Sequence, residues 1–166
     1  MNKVPLLLSI ICFVIYRLLL YFTHNIGLSL LIFLVPIGLL VFNLSVRKRL
    51  SYSNWFLSSR NFLHERRTHS SESELDTELL YAKLLEVFEN LEFDLLDHDE
   101  NKLKMLLGTS TNFLTWGENI YIQIAPSSNG SMIEFTSVTL FGNTSWKRND
   151  KNFDSFIESF ESSLIV

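Results

Sequence analysis

Cysteine, glycine and alanine are scarce in this chain, and each scarcity removes a class of chemistry. The single cysteine, Cys12, lies inside an apolar run, so no intramolecular disulfide and no cysteine-based zinc site is available. The six glycines are isolated and make no phosphate loop and no dinucleotide fingerprint. Gly27 and Gly38 are eleven apart, so the apolar runs carry no G-x-x-x-G pattern. No serine sits in G-x-S-x-G. The only two alanines are Ala82 and Ala125, so Met1–Tyr16 lacks an A-x-A-like cleavage site and does not read as a cleaved signal.

Apolar residues, by contrast, are concentrated at the start. Val4–Phe22 and Gly27–Leu44 are runs of 19 and 18 residues. As helices they rise about 28 and 27 Å at about 1.5 Å per residue, close to a hydrocarbon core of about 30 Å. The expectation is a two-helix transmembrane hairpin with Pro36 kinking the second helix. Lys3 precedes the first run, and Arg47, Lys48 and Arg49 follow the second. The positive-inside rule then places both ends in the cytoplasm of a multi-pass protein of the cell (inner) membrane. Arg17 is the one charge inside a run and reads as an interfacial anchor that snorkels to the headgroups. The other reading is a buried cation that meets a partner helix.

Charge is strongly segregated. Residues 46–67 hold six cations and one anion, whereas residues 68–166 hold six cations and seventeen anions, a balance of −11. The basic stretch should lie against anionic lipid, with Arg47, Lys48, Arg49, Trp55, Phe56 and Arg60 as candidate membrane-surface contacts. The alternative is that it folds back onto the acidic part. The acidic part is unsuited to nucleic acid.

Three segments follow: a hairpin over 1–45 (helices 4–22 and 27–44), a basic aromatic juxtamembrane linker over 46–73, and an acidic α+β domain over 74–166. In the last, Ser71 or Ser73 heads a helix over Glu74–Leu91, where Leu75, Leu79, Leu80, Leu84, Val87, Phe88 and Leu91 recur at helical spacing. The period then falls to two, through Phe93 and Leu95, Leu103–Leu107, Ile120–Ile124 and Ile133–Leu140. Asn129-Gly130 marks a tight hairpin. Phe153, Phe156, Ile157, Phe160 and Leu164 mark a closing helix that starts near Asn149 or Asp150. The expected domain is an antiparallel four- to five-stranded meander flanked by two helices, α-β-β-β-β-α, with any fifth strand just before Trp116.

Trp116-Gly117-Glu118-Asn119-Ile120 precedes the central hairpin, and Trp146-Lys147-Arg148-Asn149-Asp150-Lys151-Asn152-Phe153 follows it. Over about residues 90–162 this pattern resembles a small cytosolic α/β domain of uncharacterised bacterial two-helix membrane proteins, in which a W-G-E turn and a W-x-x-N helix entry recur. The glycine of the second motif is absent here. The resemblance implies the fold and a bacterial origin and brings no activity or site residues.

Catalytic and metal motifs fail on spacing. His64 and His69 are at i and i+5, not the i and i+4 of a zincin helix. Asp97-His98-Asp99-Glu100-Asn101 starts like an EF-hand loop, but position 6 is Lys102 and position 12 is Gly108. No cofactor and no enzymatic activity are expected. Trp116, Trp146 and Phe153 are candidates for lining an apolar pocket or for core packing. The expected function is a membrane-anchored interaction or structural module, with the lipid bilayer and an unidentified protein as partners and no nucleic acid. The alternative is an apolar small-molecule or lipid-binding domain, and the oligomeric state is not indicated.

Overall fold

Helical and strand periods resolve into two units, residues 1–46 and 47–166. The computed structural model describes residues 4–57, 64–89, 91–110, 116–140, 142 and 144–164, without side chains at 4–12, 36, 39–40, 42–46, 55 and 56. Everything below concerns these residues.

The first unit is a helical hairpin of α1 (Val4–Thr23) and α2 (Ile26–Val46). His24 turns the chain with φ +50°. Asn25 starts α2, its side-chain Oδ1 accepting from the Leu28 N–H at 3.1 Å. The Thr23 and Ser29 hydroxyls share a hydrogen bond of 2.6 Å that ties the two helices at the turn.

Among the described residues no helix is long and apolar enough to cross a membrane. This overturns the expected transmembrane hairpin, and with it the multi-pass inner-membrane placement and the N-in, C-in orientation. The physical reason that the described residues offer is charge: Arg17 interrupts the apolar side chains of α1.

The second unit opens with a 3-10 turn (Leu50–Tyr52) and the short helix α3 (Ser53–Phe56). Then come β1 (Arg66–Ser73), α4 (Thr77–Glu89), β2 (Phe93–Asp99), β3 (Lys104–Thr109), β4 (Glu118–Ser127), β5 (Gly130–Thr139) and α5 (Arg148–Leu164). All strand pairs are antiparallel, in the order β1-β5-β4-β3-β2. From β1 the chain crosses with α4 to the far edge, then meanders back until β5 lies beside β1.

Residues 66–73 were expected to be linker and are the edge strand β1, which supplies the fifth strand. This segment, Arg-Arg-Thr-His-Ser-Ser-Glu-Ser, has no apolar alternation to announce it. It is a strand because β5 offers it a full ladder from Arg66↔Val138 to Ser73↔Ser131. Its extension also delays α4, which starts at Thr77 rather than Glu74. The cap is Asp76, whose Oδ1 accepts from the Leu79 N–H at 2.8 Å. Residues 111–115, where another strand was expected, lie outside the described residues.

The main core lies between the sheet and the two helices α4 and α5. It gathers Leu80, Leu84 and Phe88 of α4, Ile120, Ile122 and Ile124 of β4, Phe135 of β5, and Phe156 and Phe160 of α5. Phe135 and Phe156 are fully buried, with ring centres 5.1 Å apart. Burying such a ring contributes about 1.5–3 kcal/mol. The opposite face has a second cluster of Leu106, Tyr121, Val138 and Leu140. Leu50, Tyr52 and Leu57 pack on it, so the basic stretch folds back onto the sheet. Two hydrogen bonds hold it there: Leu50 N–H to Asp97 Oδ2 at 2.8 Å, and Asn119 Nδ2 to the Arg47 carbonyl at 3.0 Å.

Candidate functional site

The sheet ends in an open edge at β1, and α5 runs beside it. The antiparallel pattern fixes which backbone groups of β1 are free. The Thr139 N–H donates to the Glu65 carbonyl at 3.0 Å, so Glu65 and every second residue after it face β5. The N–H and C=O groups of Arg66, Thr68, Ser70 and Glu72 therefore point away from the sheet. Among the described residues no strand pairs with that side.

Next to this edge is a groove of about 420 Å³ between β1 and α5. Its floor is apolar: Leu75, Ile157, Phe160 and Leu164. Glu72, Glu74 and Glu161 line it as well and make its rim acidic. Leu164 is exposed. The far edge differs. β2 carries a bulge between Leu95 and Asp97, and Asp97 is engaged by Leu50. Bulges blunt a sheet edge against further pairing. The β1 ladder has no such irregularity.

β1 is braced on its helix side. The His69 ring stacks on Phe153 at 4.3 Å, and its Nε2 lies 3.2 Å from Asp150 Oδ1. The N-terminus of α5 is held by buried polar groups. Ser137 Oγ donates to Asn149 Oδ1 at 2.8 Å, and Asn149 Nδ2 donates to the Glu65 carbonyl at 3.2 Å. The Glu65 carboxylate accepts from the Ser145 N–H and from Arg67 Nε. Burial alone would raise that carboxyl, but these donors outweigh it and hold it below its ordinary range.

The two tryptophan motifs meet at one end of the sheet. Trp116 and Gly117 have φ +62° and +98°; Trp146 and Lys147 have φ +52° and +65°. Three of these four are not glycine, and left-handed conformations in such residues cost of order 1–3 kcal/mol each. The residue after each pair forms an ion pair with its counterpart: Oε1 of Glu118, fully buried, lies 3.4 Å from Arg148 Nε. Thr109 Oγ1 also donates to Glu118 Oε2, at 2.6 Å. The next residues, Asn119 and Asn149, are both buried.

The sequence candidates distribute as follows. Trp116 packs on the second cluster, whereas Trp146 is 66% exposed beside a separate groove of about 540 Å³ with Arg148 and Lys151. The two tryptophans do not share a pocket. Phe153 packs against the main core between His69 and Phe135. Lys48 and Arg49 are exposed and Arg47 is partly buried. The side chains of Trp55 and Phe56, and all of Arg60, lie outside the described residues. The acidic turn works structurally, with Asp99 on Lys102 at 2.7 Å. His98 Nδ1 meets the Tyr81 hydroxyl at 2.9 Å. Sequence reasoning missed the β1 edge and its groove. The only signal was the change from basic Arg66-Arg67 to acidic Glu72-Glu74 across a serine run.

No protein family and no curated protein matches the chain. Among solved structures, that of Ara h 8.0201 is similar at TM-score 0.48 and 8% identity, covering 61% of this chain and 98% of that one.

Proposed function

We propose that residues 47–166 form a protein-interaction module that takes an extended basic and apolar segment of a partner protein as an added strand on β1. The observation that carries it is the regular, open β1 edge running beside a groove with an apolar floor and acidic rim. Backbone hydrogen bonds to the outward groups of Thr68 and Ser70 supply affinity, and alternate side chains supply selectivity. Apolar side chains of the partner drop onto Ile157, Phe160 and Leu164, while its lysines or arginines meet Glu72, Glu74 and Glu161. The apolar-ligand alternative has less support, because Phe88, Phe135, Phe156 and Phe160 pack on one another as core.

The test is a titration with synthetic ten-residue peptides that alternate leucine and lysine, or leucine and glutamate. The lysine peptide should bind, perturb the amide signals of β1 and α5, and weaken as salt rises. Ser70→Pro removes one outward donor and leaves the β5 ladder intact, so it should abolish binding without unfolding the protein. Equal binding of the glutamate peptide, or undiminished binding to a folded S70P protein, would sink the proposal.

A further inference from the structure

β1 is complementary in charge to itself. Arg66-Arg67-Thr68-His69-Ser70-Ser71-Glu72-Ser73 is basic at one end and acidic at the other. Turned round and laid on its own outward edge, it sets cation against anion. The backbone allows few registers. Arg66, Thr68, Ser70 and Glu72 carry the outward N–H and C=O groups, and antiparallel strands oppose such residues in pairs that exchange both hydrogen bonds. A two-fold axis at His69 opposes Arg66 to Glu72 and Thr68 to Ser70, so every outward residue finds a partner. Moving the axis to Ser70 sets Arg66 against Glu74, beyond the strand, and Glu72 against Thr68. Only the axis at His69 opposes the two end charges directly within the ladder. Arg66 and Glu72 are an even number of residues apart, so their side chains share a sheet face, and both are exposed. Opposite charges facing each other across a strand pair attract. Arg66 Nη1 donates to the Leu57 carbonyl, and its other guanidinium N–H groups remain for a carboxylate.

The groove beside the edge fits the same partner. A two-fold axis normal to the sheet keeps like faces together, so the α5 helices of both copies lie on one side of the joined sheet. α5 packs on β5 and β1, so the two grooves face each other across the axis. Half-buried Ile157 and exposed Leu164 of each copy then turn towards those of the other. At the axis the two His69 rings come side by side, each already stacked on Phe153. Closure also accounts for the undefended edge. A regular open strand invites endless pairing, and β1 has no bulge to prevent it. A two-fold pair uses up the edge of both copies and stops there. We infer that β1 pairs antiparallel with β1 of a second copy about an axis at His69, with Arg66 of each copy on Glu72 of the other. This pairing rests on the reading of β1 as a strand-accepting edge and names the strand that it accepts.

Hydrogen exchange and a cross-link, both on the full chain, test it. The outward amides of Thr68 and Ser70 should exchange at least about tenfold more slowly in the unmodified protein than in Glu72→Arg. Residues opposed without hydrogen bonds in such a ladder have Cα atoms about 4.5 Å apart, within disulfide range. His69→Cys in a Cys12→Ser background should therefore form a disulfide-linked dimer in mild oxidant. Adding Arg66→Glu or Glu72→Arg should each cut the yield at least about tenfold, and mixing the two should restore it, because each offers the charge that the other lacks. The exchange measurement needs no change at His69 and stands even where that variant misfolds. Fast exchange at both amides of the unmodified protein would overturn the pairing, as would a cross-link indifferent to both charge changes. If the lysine peptide still binds β1 in that event, the edge accepts strands but not its own copy. If the peptide fails as well, the reading of β1 as an accepting edge falls with it.

Discussion

Glu65 sits where three parts of the second unit meet, and its titration should be visible in stability. Its carboxylate accepts from Ser145 and Arg67, its carbonyl accepts from Asn149 and Thr139, and its N–H donates to Thr139 Oγ1. The folded pKa lies below the ordinary 4.5 despite the opposing effect of burial. The unfolded chain therefore binds the proton first. The carboxylate stabilises the fold above about pH 4.5, and that stabilisation is lost as pH falls through the depressed folded value. Urea midpoints measured from neutral pH down to pH 3 should fall less steeply for Glu65→Gln than for the parent. Parallel curves for the two proteins would show that the carboxylate contributes nothing. None of this was legible in the sequence, where Glu65 is the lone acid in a basic stretch. Its partners, Ser145 and Asn149, are about eighty residues away and become neighbours only when β5 pairs with β1.

At the scale of elements, the legible parts were those whose burial leaves a period. Leu80, Leu84, Val87 and Phe88 announced α4, and Phe153, Phe156 and Phe160 announced α5, because each turns one stripe to a common core. Ile120, Ile122 and Ile124 announced β4 for the same reason at period two. β1 left no period because its role is to finish an edge, not to bury a face, and its stability comes from β5 and the β4–β5 turn. Gly130 is where that dependence is sharpest. It has φ +136°, and a Cβ there would lie 2.2 Å from the Ser73 carbonyl oxygen and 2.9 Å from the Glu74 backbone. The obstacle is main chain and cannot rotate away. Gly130→Ala should therefore cost more than the roughly 1 kcal/mol typical of an unfavourable φ alone, by both strain and displacement of the β1 end. Hydrogen exchange would locate the damage: faster exchange at Ser71 and Ser73 with α5 unchanged is expected. Uniform acceleration across the unit would instead mean that β1 has no local stability of its own.

At the scale of the whole chain, the charge segregation runs beside a packing arrangement that the sequence did not announce. A stretch with six cations was expected to seek anionic lipid. Leu50, Tyr52 and Leu57 of that stretch cover the second sheet face, and Arg66 Nη1 donates to the Leu57 carbonyl at 2.8 Å. The sequence shows the cations readily. It does not show that the sheet has two apolar faces, since Leu106, Tyr121 and Val138 are scattered over three strands and Leu140 follows the last of them. A consequence follows for truncation. Removing residues 1–46 deletes a separate unit and takes no member from either cluster of the second. Residues 47–166 should therefore unfold cooperatively, with the parent's midpoint for that transition. Removing residues 1–57 strips the cover from the second face and exposes its apolar side chains. At about 25 cal/mol for each Å² uncovered, losing even three partly buried side chains costs several kcal/mol, a large share of a domain's net stability. The shorter fragment should melt well below the longer one and aggregate through the uncovered face. Equal midpoints for the two fragments would mean that residues 47–57 merely rest on the sheet, and that the second face is stable without them.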